Sequence, residues 1–274
     1  MTTTGERLVL ARAHAELTID AAAGGRFASL VVDGNELLLT DDRAGPIWWG
    51  CYPMAPFAGR IRFGQLAFGD KEHQLQRNLP PHAIHGTVLD RRWDVVTHGQ
   101  DRLRLETDLG PGWPFAGRVR HEMELRQGGL EATLTLEANE PMPAWIGWHP
   151  WFRRSIDGRA VELEFDAASM YERGPDGLPT GAFTAPTPRA WDDAFVGLRD
   201  TPKLRWPGLL ELEIHSTAGV WVVFDERDDA ICVEPQTAPP DAVNLARTQG
   251  MDPPTVVPGR PLTATMTWRW SRAT

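Results

Sequence analysis

Cysteine is nearly missing from this chain: of 274 residues only 2 are cysteine, Cys51 and Cys232. They have no close spacing, which leaves neither a disulfide framework nor a paired-thiolate zinc motif and fits a reducing compartment. Basic charge is also short, with 28 Lys and Arg against 37 Asp and Glu and a formal charge of −9. Phosphate backbones select basic stripes, so nucleic acid is excluded as a partner. No apolar run approaches the ~18 residues of a membrane span. The first residues, Met1 to Arg7, lack the basic start and apolar stretch of an export signal. The expectation is a soluble, unprocessed, cytoplasmic protein with no membrane partner; the oligomeric state is not legible. Internal repeats and low-complexity segments are absent, and no window sustains a helical apolar stripe over three turns.

What is present points to β-structure. There are 12 Trp but only 2 Tyr, together with 26 Gly and 23 Pro, a profile of short strands, tight turns and flat apolar walls. Period-two alternation recurs in Arg102 to Glu106, Val161 to Phe165 and Leu210 to His215, as half-buried strands require. Val119 to Leu125 and Leu130 to Glu137 flank Gln127-Gly128-Gly129 and read as a hairpin. Leu262 to Trp270 is a closing strand, while Glu172 to Asp193 reads as a long excursion between strands. The expected fold is all-β, a large antiparallel β-sandwich formed by a single domain over residues 1–274; barrel closure is the other arrangement compatible with this pattern.

The stretch from Ala230 to Asn244 carries the strongest chemical signal. An apolar approach strand delivers Glu234 into a turn dense in proline and amide side chains, which fixes the carboxylate and, by desolvation, can raise its pKa toward that of a useful base. As a bland alternative, Glu234 would cap backbone amides. His85 follows Pro80-Pro81 and precedes Gly86, and His149 lies between Trp148 and Pro150-Trp151. Each taken alone is compatible with a hydrogen-bonded structural histidine. His14, His73, His98 and His121 sit among charged or turn residues and are read as solvated. Arg60 offers a planar donor fork for hydroxyls or for a structural carboxylate, and Asp192 an acceptor. A His82, His85, His149 and Glu234 metal shell is conceivable, but the loop spacing is not that of a chelate, so no metal is assigned. Trp48, Trp49, Trp148 and Trp151 flank these motifs and are candidates either for stacking on a pyranose face or for core packing.

Taken in order, these motifs resemble the aldose 1-epimerase (galactose mutarotase) superfamily over most of the chain. Gly59-Arg60-Ile61 is similar to its Asn-Arg-Ile, His85-Gly86 with Trp93 to its His-Gly…Trp, His149 with Phe152 to its His-x-x-Phe, and Asp192 with Phe195 to its Asp-x-x-Phe. Glu234-x-Gln236-x-x-Pro239 resembles its Glu-x-Gln motif. The resemblance implies a β-sandwich with an open sugar cleft and interconversion of α and β anomers of a free aldose, without a cofactor. It implies Glu234 as the base at the anomeric hydroxyl, His149 as the acid at the ring oxygen, His85 assisting there, and Arg60, Asp192 and Gln236 as substrate-binding residues. Two departures bear on substrate: Gly59 stands for Asn, and Leu89 stands where a hexose 6-phosphate group of the superfamily carries arginine. Arg91, Arg92, Arg153 and Arg154 are the candidates for a substitute phosphate grip, so a hexose-6-phosphate epimerase is the second expectation. A non-catalytic carbohydrate-binding module on the same fold is the third.

Overall fold

Residue alternation builds two large sheets in the computed structural model, which describes residues 7–188 and 190–273. The larger sheet follows a path of antiparallel neighbours made by β1 (Arg7–Arg12), β2 (Ala15–Asp20), β3 (Arg26–Val32), β4 (Cys51–Met54), β5 (Gly147–Pro150), β6 (Ala167–Arg173), β7 (Pro179–Thr184), β8 (Asp192–Leu198), β9 (Val220–Phe224) and β10 (Ala230–Gln236). Its spatial order is β1-β2-β3-β4-β5-β10-β9-β8-β6-β7. The second sheet has 8 strands, centred on the hairpin of Gly117–Arg126 and Gly129–Ala138 and on Leu262–Ser271.

That hairpin pairs Arg126 with Gly129 across a tight turn at Gln127 and Gly128, the glycine at φ +72°, the left-handed region that glycine enters without penalty. Alternate residues Val119, His121, Met123 and Leu125 turn inward and are buried. Between the sheets Phe27 stacks on His121 at 5.4 Å and meets the edge of Trp268 at 5.9 Å, while Phe152 packs on Trp268 at 5.0 Å. A face-to-face sandwich follows from this interdigitation.

His121 corrects one expectation from the sequence. It is 0% exposed, its Nδ1 lies 3.2 Å from the Gly25 carbonyl and its Nε2 accepts the Trp148 indole N–H at 3.2 Å. Both ring nitrogens are satisfied by a neutral imidazole, and burial lowers its pKa to about 3. A second correction concerns Glu172 to Asp193, which is not an excursion: β6 and β7 pair there, with Tyr171 opposite Phe183. Ala242–Gln249 forms one short helix, α1, stopped by Gly250 at φ +66°, the left-handed cap that glycine favours.

Candidate active site

Adjacent residues on a strand point to opposite faces, and β5 uses both. Trp148 turns into the sandwich to reach His121, so His149 turns outward to the other face of the larger sheet. Gly147 pairs with Gln236 and His149 with Tyr52, which sets His149 level with Glu234 on β10. All 7 residues of β10 are buried; Cys232, Glu234 and Gln236 share the outward face at period two. Glu234 is opposite Val222 of β9, itself opposite Ala194 of β8, and Asp192 is one step along beside Phe224.

Two short strands complete the rim. Arg60–Ile61 pairs with Ala83–Ile84, the His85 N–H donates to the Gly59 carbonyl at 2.8 Å and the Asp241 N–H to the Arg60 carbonyl at 2.7 Å. His85 itself holds φ +58°, a conformation that costs a non-glycine residue about 1 kcal/mol or more and concentrates at functional sites. Gly86 follows at φ +82°, where a Cβ would lie 1.9 Å from the Ala55 carbonyl oxygen; only glycine permits this approach. Gly59 is equally constrained, since a Cβ there would stand 2.7 Å from the Pro240 ring. The departure from Asn at this position therefore has a steric cause.

The result is a cleft lined by Arg60, His85, His149, Asp192, Glu234 and Gln236 among others. All six candidates from the sequence thus meet in one place. At the floor, His149 Nε2 stands 3.3 Å from Glu234 Oε1, and Gln236 Nε2 donates to Glu234 Oε2 at 3.1 Å. His85 meets His149 edge to face at 4.8 Å. Burial pushes Glu234 well above the usual carboxylate value, reinforced by Asp192 and opposed by the Gln236 hydrogen bond and Arg60. Burial, then Arg60, lowers His149 to about 3, and burial with His149 and Arg60 keeps His85 well below the usual imidazole value. Among the described residues, His85 Nδ1 and Gln236 Oε1 are buried without a hydrogen-bond partner, polar capacity that a polyhydroxylated ligand can use.

A column of stacked groups fixes the His149 ring. It lies between Tyr52, 5.0 Å away at 27°, and Trp151, 4.7 Å away at 24°. Guanidinium groups close both ends, Arg26 at 5.1 Å over Tyr52 and Arg227 at 5.1 Å over Trp151. Arg26 is 0% exposed and is held by the carbonyls of Ala23, Trp49 and Leu89 at 2.6 to 3.0 Å. Sequence reasoning missed Tyr52, whose signal was only its place ahead of the Arg60 segment. It also missed Arg173 and Asp193, which line the cleft and pair at 3.3 Å.

Other candidates are not brought to the cleft. Trp48 and Trp151 line it, whereas Trp49 and Trp148 are core residues at 3% and 0% exposure. Arg91, Arg92, Arg153 and Arg154 are not among its lining residues. Arg153 donates to the Leu38 carbonyl at 2.9 Å and Arg154 to the Arg227 carbonyl at 2.5 Å. His82 accepts the Phe63 N–H at 3.0 Å and stays outside the cleft. Among the described residues the converging metal-type donors are His149, Cys232 and Glu234, a set different from the His82-containing one weighed from sequence.

The aldose 1-epimerase family model matches residues 7–247. The uncharacterized protein YphB of Escherichia coli K12 is 27% identical over 283 residues, covering 93% of this chain and 96% of its own. In fold, a galactose mutarotase-like protein from Clostridium acetobutylicum superposes with a TM-score of 0.84 at 18% identity, over 96% of this chain and 94% of that one. Galactose 1-epimerase from Lactobacillus acidophilus NCFM superposes at 0.79 with 18% identity, over 97% of this chain and 94% of its own.

Proposed function

The chain belongs to the aldose 1-epimerase family, and on that premise we propose that it interconverts the α and β anomers of a free aldose. The observation that carries this reading is the 3.3 Å contact between His149 Nε2 and Glu234 Oε1 at the cleft floor. Mutarotation needs one group that takes the proton of the anomeric hydroxyl and one that gives a proton to the ring oxygen. Glu234 takes, His149 gives, the ring opens, and rotation next to the aldehyde carbon presents its other face. The reverse transfers close it. Throughout, the pair owns one proton before and one proton after.

Burial favours that count. With no proton the pair is an anion, with two it is a cation, and a desolvated site disfavours both. The raised Glu234 and lowered His149 seat that one proton on Glu234 in the resting pair, so the cycle begins once it has crossed the 3.3 Å contact to His149, and the titration belongs to the pair as a whole. His85 assists at the ring oxygen, Arg60, Asp192 and Gln236 hold hydroxyls, and Trp48 and Trp151 offer apolar wall. No step calls for a metal or an organic cofactor.

A free sugar suits the cleft better than a phosphate. Its lining arginines, Arg60 and Arg173, are already committed to Asp192 and Asp193, each at 3.3 Å, whereas a dianion needs an unpaired bidentate donor. A purely binding module would have no use for a coupled acid and base. Polarimetry and exchange spectroscopy by nuclear magnetic resonance over a panel of aldoses and aldose phosphates test the reading. Glu234→Gln and His149→Asn each slow exchange at least ~10²-fold with the fold retained. Near-normal rates in either variant would overturn it, and a tenfold preference for a hexose 6-phosphate would transfer the assignment to the phosphate.

A further inference from the structure

Beneath the acid/base pair lies a thiol that the proposed reaction does not use. Cys232 is two residues from Glu234 on β10 and faces the same side of the sheet. The donor atoms of His149, Cys232 and Glu234 all lie within 4.8 Å of one another, and the three residues are 5%, 0% and 2% exposed. We propose that these three side chains form a reversible inhibitory site for one thiophilic divalent cation, such as Zn²⁺, at the floor of the cleft.

The ligand types are those zinc selects, an imidazole nitrogen, a thiolate and a carboxylate oxygen, with bond lengths of about 2.0 to 2.3 Å. Tetrahedral ligands then stand about 3.3 to 3.8 Å apart, so the longest donor separation must close by about 1 Å, within the reach of side-chain rotation. The Gln236 amide already holds Glu234 Oε2 and leaves Oε1, the oxygen nearest His149, toward the cation. His149 and Glu234 line the cleft, and that is the side from which a water would complete the tetrahedron.

Charge balance favours occupancy. The metal-free site holds a neutral thiol and a one-proton pair. Binding expels the thiol proton and the shared proton to solvent, leaving a dication with one thiolate and one carboxylate, again neutral. Among the described residues His149 Nδ1 has no partner beyond a backbone contact of its own residue, and a ligating histidine normally donates there to a second residue that strengthens it. This missing support makes the site a reversible one that chelator empties, rather than the seat of a resident ion. Occupation removes the lone pairs of both His149 and Glu234, so the consequence for anomer exchange is inhibition, a part of the inference that rests on the proposed function.

Cobalt titration of the full chain tests the site without reference to activity. One equivalent of Co²⁺ is expected to develop a thiolate-to-cobalt charge-transfer band, displaced by Zn²⁺ and lost to chelator, with two protons released per cation in calorimetry across buffers of different ionisation enthalpy. Cys232→Ala loses the band and weakens binding at least ~100-fold, with Cys232→Ser as a second variant should the smaller one unfold and Cys51→Ala retaining both. No thiolate band at millimolar cobalt, or an unchanged band in a folded Cys232 variant, overturns the site. If the band behaves as stated but no aldose is turned over, the proposed function fails while the metal site stands. If the band behaves and turnover is indifferent to zinc at saturation, the inhibitory role is overturned.

Discussion

At the scale of single residues, the stacked column and the one-proton pair make separable predictions. Tyr52 touches His149 through its ring and Ile47 through its hydroxyl, which donates to the carbonyl at 3.1 Å. Tyr52→Phe keeps the ring and is expected to leave kcat within a few-fold, whereas Tyr52→Leu loosens the imidazole and lowers kcat by about tenfold with KM little changed. Equal effects of the two variants in steady-state polarimetry would assign the role to the hydroxyl instead. For the pair, an ordinary glutamate and histidine would change state at 4.5 and 6.5. Burial moves His149 below this interval and Glu234 upward, so the log of kcat/KM is expected to be flat down from 6.5 until the pair gains its second proton near 3. An acid limb of unit slope near 6.5 would contradict the one-proton account.

At the scale of elements, much was legible because strands repeat every two residues. The hairpin around Gln127-Gly128, the closing strand Leu262–Ser271 and the buried β10 with Glu234 were all readable from alternation and turn residues. Two elements were not. The 8 residues of α1 give barely two turns, too few for a helical period to emerge, and β7 hides in a segment whose Gly, Pro and Thr content reads as loop. The residue His121 shows a different failure: its strand alternation places it on the buried face with Val119 and Met123, but its polar type suggested solvent, and only the facing Gly25 and Trp148 explain why burial is tolerated. The convergence of the six candidates on one cleft was legible through motif order; the column around His149 was not legible beyond Trp151, because Tyr52, Arg26 and Arg227 come from distant segments and meet only in the fold. Gly59 offers a test at this scale. Gly59→Asn restores the residue usual in the family but drives a Cβ into Pro240, so it is expected to lower stability by about 2 kcal/mol and to raise KM as Arg60 shifts. An unchanged melting temperature and KM would show that the Pro240 segment yields freely.

At the scale of the whole molecule, the core itself is titratable. His121 has its pKa lowered from 6.5 to about 3 in the fold, so below 6.5 the unfolded chain binds a proton that the folded chain refuses. The stabilisation is fully present above 6.5 and is lost as pH falls toward 3, with a slope of about 1.4 kcal/mol per pH unit for each such histidine. Urea unfolding between these limits is expected to show stability rising with pH, and His121→Gln to remove one proton's worth of that slope; an unchanged slope would mean that another group supplies it. The pairing of charges in the cleft has a consequence of a different kind. Arg60 pairs with Asp192, Arg173 with Asp193 and Glu226, and the acid/base pair is neutral in its working state, so a neutral sugar brings no charge to a wall whose arginines are already paired. Turnover of such a substrate is expected to be indifferent to ionic strength across the range where the Debye length shrinks from about 30 Å to about 3 Å, and the log of kcat/KM plotted against the square root of salt concentration should be a horizontal line.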